Sequence, residues 1–236
     1  GTASMMDDGV GGQLEAHGYA VVDGLLPPDL ADELLKDLRK TRRRVAALVE
    51  GGELDDTYIY GNVTSRQHRA DLKLSLGNPL VRAALRAALE RLAEPLVDEW
   101  CCDVLVELSS LHSLPGSTDQ PVHSDTQGSD RSILTCFAAL QDVDLVMGLT
   151  VIWPKSHARD DGVGAEEYVD QSDQSGVPVL LRKGDAMLMD SRLCHYGSAN
   201  RSEVDRVLFY FSFSIPGSAA RGSTLSILPE YERRFR

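Results

Sequence analysis

Arg206-Val207-Leu208-Phe209-Tyr210-Phe211-Ser212-Phe213 is the stretch whose pattern decides the fold. Successive side chains of a β-strand leave opposite faces. Val207, Phe209, Phe211 and Phe213 therefore make one wholly apolar face, and Arg206, Leu208, Tyr210 and Ser212 make a mixed one. The apolar face calls for a layer of helices. The mixed face looks into a second layer of strands, where a polar site belongs. Arginine is rarely buried without a partner, so Arg206 at the start of the mixed face needs an anion.

Working outward, short strand-like runs recur at 103–111, 121–125, 132–140, 149–153, 177–182, 186–190, 193–196 and 206–215. Turn-rich polar stretches such as Pro115-Gly116-Ser117 and Ser198-Ala199-Asn200-Arg201-Ser202 separate them. That spacing predicts a mainly β fold, a double-stranded β-helix (jelly roll, cupin-like), with N-terminal helices packed on one sheet. The polar, Gly-containing insert 154–176 reads as a loop or lid.

Upstream, residues 13–26 read as a short helix followed by the extended Tyr19-Ala20-Val21-Val22. Pro27-Pro28-Asp29 opens a helix with Leu30, Leu34, Leu38, Val45, Leu48 and Val49 facing the core, ended by Gly51-Gly52. Its basic run Arg39, Lys40, Arg42, Arg43, Arg44 reads as a solvated face. Residues 53–77 read as an irregular loop with Arg66, His68 and Arg69 on the surface. Asn78-Pro79 starts another helix by N-cap and first-position proline. Leu85, Leu89, Leu92 and Leu96 mark its buried side, and Pro95 kinks or ends it.

The 236-residue chain suits one domain. Residues 1–12 read as a tail outside the fold, the first four as a cloning remnant. Residues 13–236 form one unit, with a helical part to about 100, a core over 101–216 and a tail over 217–236. A net charge of −12 argues against a nucleic-acid partner. No apolar run approaches the ~20 residues of a membrane span, and no leader is evident, so a cytoplasmic protein acting on a small molecule is expected. Cys101, Cys102, Cys136 and Cys194 include no C-x-x-C pair and read as reduced, buried thiols. Oligomeric state is not legible.

His123-Ser124-Asp125 places an imidazole and a carboxylate on one strand side. His195, in the strand-like Leu193-Cys194-His195-Tyr196, supplies a second imidazole. Two histidines and a carboxylate with positions left open are the ligand set of non-haem Fe(II) oxygenases. Arg206 follows His195 by eleven positions across the turn Asn200-Arg201-Ser202, so the two sit on neighbouring strands. A metal-bound histidine beside an inward arginine suits a dicarboxylate, one end on the metal and the other on the guanidinium.

On these residues the chain resembles the phytanoyl-CoA dioxygenase (PhyH-like) superfamily of Fe(II)/2-oxoglutarate-dependent dioxygenases. The similarity covers His17-Gly18-Tyr19-Ala20-Val21-Val22 with Leu26-Pro27, then His123-Ser124-Asp125, then Met147-Gly148-Leu149-Thr150-Val151-Ile152-Trp153-Pro154-Lys155-Ser156-His157. It continues through Gly184-Asp185-Ala186 to His195, Asn200 and Arg206. The resemblance implies that His123, Asp125 and His195 hold Fe(II), that Arg206 meets the far carboxylate of 2-oxoglutarate, and that Thr150 touches the same carboxylate. It implies consumption of O2 and 2-oxoglutarate with release of succinate and CO2. It also implies that Asp125 fills a position which related halogenases leave to Gly or Ala, so that oxidation occurs without halide.

Lys155 stands where the family has glycine, and His157 is read as structural. Ser110 and His112 share a strand face just upstream of His123-Ser124-Asp125 and read as ordinary polar edge positions rather than cosubstrate contacts, and Asp103, Asp119 and Asp130 as loop or strand-end carboxylates. The alternatives are a cupin-like isomerase or hydrolase using the metal as a Lewis acid without 2-oxoglutarate, and a non-catalytic jelly-roll binding module.

Overall fold

The computed structural model describes residues 9–93, 104–126, 133–159, 163–214 and 226–231. Cys101, Cys102, Asp103, Asp130, Pro95 and Leu96 lie outside the described residues.

In chain order the elements are α1 (Val10–His17), β1 (Tyr19–Val22), α2 (Pro28–Glu50), α3 (Asp56–Ile59), β2 (Arg69–Lys73), α4 (Pro79–Leu92) and β3 (Val104–Ser113). They continue with β4 (Ile133–Ala139), β5 (Thr150–Ile152), α5 (Ala165–Gln171), β6 (Val177–Val179), β7 (Ala186–Asp190), β8 (His195–Gly197) and β9 (Arg206–Ser214). A six-stranded antiparallel sheet runs β1-β7-β4-β9-β3-β2, and a three-stranded sheet runs β6-β5-β8. Leu149, Ile152 and Val179 of the smaller sheet and its approach pack with Met187, Met189 and Leu208 of the larger one, closing the roll.

The helices form as the local signals require. Asn78 accepts from the Leu80 N–H at 2.9 Å, with Pro79 at the first helical position. Their apolar sides bury against the large sheet: Leu34, Leu38, Val81 and Ala84 share one core with Leu72, Leu108, Phe209 and Phe211. The apolar face of β9 thus meets the helices as its alternation requires.

The structure corrects four expectations. On α4 the buried side is Val81, Ala84, Ala88 and Leu92, while Leu89 is exposed. Leu92 is buried as expected and Leu85 packs partly against the core, but small alanines make the closest part of the contact. Residues 121–125 are not a strand: His123 makes one antiparallel bridge to His195, and Asp125 follows on a bend. Residues 53–77 are not all loop, because Arg69–Lys73 is an edge strand. The proposed tails also enter the fold. α1 starts at Val10, and Ile227 packs in the helix-side core while the Ser226 carbonyl accepts from Leu108 N–H at 2.8 Å.

Within the insert 154–176, a 3-10 turn at Ser156–Ala158 and α5 interrupt the loop. Lys155 takes a left-handed conformation at φ 71°, the one a glycine would favour there, so the turn survives the substitution. His157 is buried and its Nε2 lies 3.1 Å from Glu15 O, in keeping with a structural role. Cys136 and Cys194 are buried and in no disulfide. Among the described residues no helix is long and apolar enough to cross a membrane.

Candidate metal centre

His195 opens β8, and its main chain exchanges two hydrogen bonds with His123, at 2.8 and 2.9 Å. Residues directly opposite in an antiparallel pair project to the same side. The two imidazoles therefore stand together, ring centroids 4.4 Å apart. Asp125, two positions beyond His123, brings Oδ1 to 3.9 Å from each Nε2. All three ligand atoms lie within 4.8 Å of one another.

The far sides of both rings are tied down. His123 Nδ1 lies 2.8 Å from Pro121 O, and His195 Nδ1 lies 2.9 Å from Leu193 O. A carbonyl only accepts, so each Nδ1 carries the hydrogen and each Nε2 keeps its lone pair toward Asp125. Burial lowers the pKa of His195, against the opposing pull of Asp125, and favours the neutral form that binds metal. Metal bonds of about 2.0–2.2 Å span separations such as these, and two imidazoles with one carboxylate suit a non-haem ferrous ion. The donors present fit the implied metal.

A cavity of about 220 Å³ opens beside these residues. All three ligands line it, with Asp71, Glu107, Phe137 and Tyr210 on the large sheet's inner side. Asp71 is wholly buried and accepts from Tyr210 Oη at 2.8 Å and from the hydroxyls of Ser109 and Ser226. Burial raises its pKa while those hydroxyls oppose the shift. Ser212 Oγ donates to Glu107 at 2.5 Å.

Arg206 begins β9 and is 1% exposed. Nη1 donates to Gly148 O at 2.7 Å and Nη2 to Ser113 Oγ at 3.0 Å, while Nε has no partner. Burial, then the positive charge of Arg69, pushes its pKa down to about 10. Asn200 secures the turn from β8 to β9: its Nδ2 donates to Ser113 O and Val204 O, each at 2.8 Å. Thr150 faces Gly197 across β5 and β8. A Cβ on Gly197 would stand 3.2 Å from Arg206 Nη2, so Thr150 shares the arginine's side of the roll.

Ser110 and His112 are not edge positions, because both are wholly buried and β3 lies between β9 and β2. They sit on the helix side of β3, where Ser110 Oγ lies 3.1 Å from His112 Nε2 and His112 Nδ1 lies 3.6 Å from Asp205. Ser113, one residue on and facing inward, is the serine that meets Arg206. Asp119 is a loop carboxylate that accepts from Ala199 N–H at 2.6 Å. Of the cations expected on the surface, Arg66 and His68 are exposed, but Arg69 is only 6% exposed. The surface reading of Arg69 followed from taking 53–77 as a loop, although Arg69-Ala70-Asp71-Leu72-Lys73 alternates charged with apolar. The period of two was the available signal.

A family model described as Phytanoyl-CoA dioxygenase (PhyH) matches residues 14–208. Dioxygenase andF of Emericella variicolor is 30% identical over 115 residues, which cover 44% of this chain and 39% of that one. Dioxygenase aneA of Aspergillus aculeatus is 24% identical over 205 residues, covering 80% of this chain and 66% of that one. The chain thus spans only 39% and 66% of the lengths of these two curated relatives. The solved structure of the epimerase SnoN in complex with Fe3+, alpha ketoglutarate and nogalamycin RO is similar with a TM-score of 0.69. Its identity is 21%, over 93% of this chain and 89% of that one.

Proposed function

The chain belongs to the phytanoyl-CoA dioxygenase family, and from that premise we propose that it is an Fe(II)- and 2-oxoglutarate-dependent dioxygenase oxidising a small-molecule metabolite. One observation carries this reading. His123 and His195 are bridged across the roll with both Nδ1 atoms tied to carbonyls, so both lone pairs meet Asp125 beside a cavity.

When bound, Fe(II) with 2-oxoglutarate and O2 supplies the oxidising power, and 2-oxoglutarate leaves as succinate and CO2. The protein's own part is positioning. His123, Asp125 and His195 hold the ion and leave positions open. Arg206 meets the far carboxylate of 2-oxoglutarate, which takes up the buried positive charge and the unpartnered Nε. Thr150 lies on the same side for the same carboxylate. The walls beside the ligands offer acceptors and hydroxyls from Asp71, Glu107 and Tyr210 and an apolar ring from Phe137, an enclosure scaled to a small molecule. Hydroxylation is the outcome we assign. SnoN is described as an epimerase, so product analysis is needed to separate oxygen insertion from inversion of a carbon centre. Buried thiols at Cys136 and Cys194, outside any disulfide, favour a reducing, cytoplasmic setting.

The test is anaerobic addition of 2-oxoglutarate to Fe(II)-loaded protein, followed by a pooled-metabolite screen in O2. The expected results are a metal-to-ligand charge-transfer band and substrate-dependent succinate. Tight Fe(II) binding with neither result would replace this reading with the isomerase or hydrolase.

A further inference from the structure

Arg69, Ser113 and Arg206 form one row across the inner face of the large sheet. Arg69 pairs with Ser113 in the β2–β3 register, and Ser113 pairs with Arg206 in the β3–β9 register. With strands about 4.7–4.9 Å apart, the two arginines start roughly 10 Å from each other on the same side. Their heads converge on Gly197. Arg69 Nη2 donates to Gly197 O at 3.2 Å, and a Cβ on Gly197 would stand 3.2 Å from Arg206 Nη2. Gly197 is therefore small where Arg206 and Gln120 crowd it, with Gln120 Oε1 2.6 Å from that Cβ position, while Arg69 reaches its carbonyl.

Both heads are buried, and among the described residues neither forms an ion pair with a carboxylate. Their protein partners are uncharged. Arg69 Nη2 donates to Thr118 O at 2.5 Å and Ser198 O at 3.5 Å, while Arg206 takes Gly148 O and Ser113 Oγ. Arg69 Nε, Arg69 Nη1 and Arg206 Nε have no hydrogen-bond partner. Asp119 acts on Arg69 only from beyond ion-pair distance. Two buried like charges with open N–H groups are costly unless an anion joins them. Gln120 marks where that anion would enter: it lines the cavity of the metal ligands, and its Oε1 accepts from Gly197 N–H at 2.9 Å.

We propose that Arg69 is a second residue for the cosubstrate, forming with Arg206 a two-guanidinium clamp on the far carboxylate of 2-oxoglutarate. The proposal rests on the function given above and assigns a residue that the family pattern did not supply. A clamp of two cations favours a 2-oxo acid with an anionic far end over a metal chelator that lacks one. Tethering the 118 and 197–198 carbonyls is the competing role for Arg69, and it makes a different prediction.

The experiment is anaerobic calorimetry on Fe(II)-loaded protein with two ligands, 2-oxoglutarate and oxalate. Oxalate chelates the metal but has no far carboxylate. Arg69→Gln is expected to weaken 2-oxoglutarate binding by about 10- to 100-fold while changing oxalate binding by less than about twofold. Arg69→Lys, which keeps the charge and much of the reach, is expected to restore part of the loss. An unchanged 2-oxoglutarate affinity in Arg69→Gln overturns the clamp. So does an equal loss for both ligands together with a lowered melting temperature, which is the signature of loop tethering. If Arg69→Gln does not fold, Arg69→Lys decides: wild-type affinity for both ligands or equal loss for both overturns the clamp, and selective loss of 2-oxoglutarate supports it. Wild-type protein that binds oxalate but not 2-oxoglutarate would instead remove the function on which the clamp rests.

Discussion

The large sheet shows two faces made by the same strands and put to opposite uses. On the helix side, Leu72, Leu108, Phe209 and Phe211 are buried in one apolar core with α2 and α4. On the inner side, Arg69, Asp71, Lys73, Glu107, Tyr210 and Arg206 are just as buried, yet most are charged. Apolar burial returns about 25 cal/mol per Å2, whereas burying charge opposes folding unless partners compensate. The helix side therefore supplies stability, and the inner side draws on it to keep charged groups buried, among them the two arginines proposed for the cosubstrate. Substitutions should divide along the same line.

The largest effect belongs to the inner side. His123→Ala or His195→Ala should abolish Fe(II) binding and reduce 2-oxoglutarate turnover to background, with the melting temperature of the metal-free protein nearly kept. Full coupled activity in either purified variant would refute the ligand assignment.

Phe209→Ala is the matching test of the helix side. It should cost about 3–5 kcal/mol of stability through lost burial and a cavity. Denaturant melts measure the cost, and the folded protein should bind 2-oxoglutarate as before. A weakened ligand affinity without loss of stability would break the division between faces.

Arg206→Ala should raise the 2-oxoglutarate dissociation constant by roughly 30-fold or more, from about 2–5 kcal/mol for losing a buried charge partner. Fe(II) affinity should hardly move. Anaerobic titration of the charge-transfer band reads both, and an unaltered constant would give Arg206 another task.

The smallest effect sharpens the comparison at a polar spot on the helix side. Burial pushes the Asp205 carboxyl up, but the neighbouring His112 ring and the charge of Arg39, 2.8 Å away, outweigh that and bring it down to about 2. The folded value lies below the ordinary value near 3.9, so the stabilisation is complete above about pH 4 and is lost as pH falls through 2. Because the site is partly open to solvent, about 1–2 kcal/mol is at stake. Asp205→Asn should flatten the acid limb of a stability-versus-pH curve over that window. An unchanged acid limb would mean that the pair does little.

Much of the site was legible because its signals are local. The alternation in β9 told which side carries Arg206, and β7 runs over the expected 186–190. Asn78-Pro79 starts α4 as read. Other signals misled for physical reasons. On α4 Leu92 is buried as read, but Val81, Ala84 and Ala88 share its stripe and Leu89 does not, because the small alanines let the helix approach. On β2 three charged residues alternate with apolar ones, and charge in a short segment was read as exposure. The hydroxyls of Ser109, Tyr210 and Ser226 that receive Asp71 come from three distant parts of the chain and are invisible from the segment itself.

By itself the sequence determined the kinds of groups, two imidazoles, a carboxylate and an inward arginine, and on β9 the period of two assigned Arg206 its side. Periodicity and turn chemistry are properties of neighbouring residues, so they can be read along the chain. Only the tertiary structure decided which sides meet. It bridged His123 to His195 across 72 positions and set Arg69 in line with Arg206. It also turned Ser110 and His112 away toward the helices. Register between strands is fixed by the packing of both buried faces at once, and a one-residue slip would exchange every one of those sides.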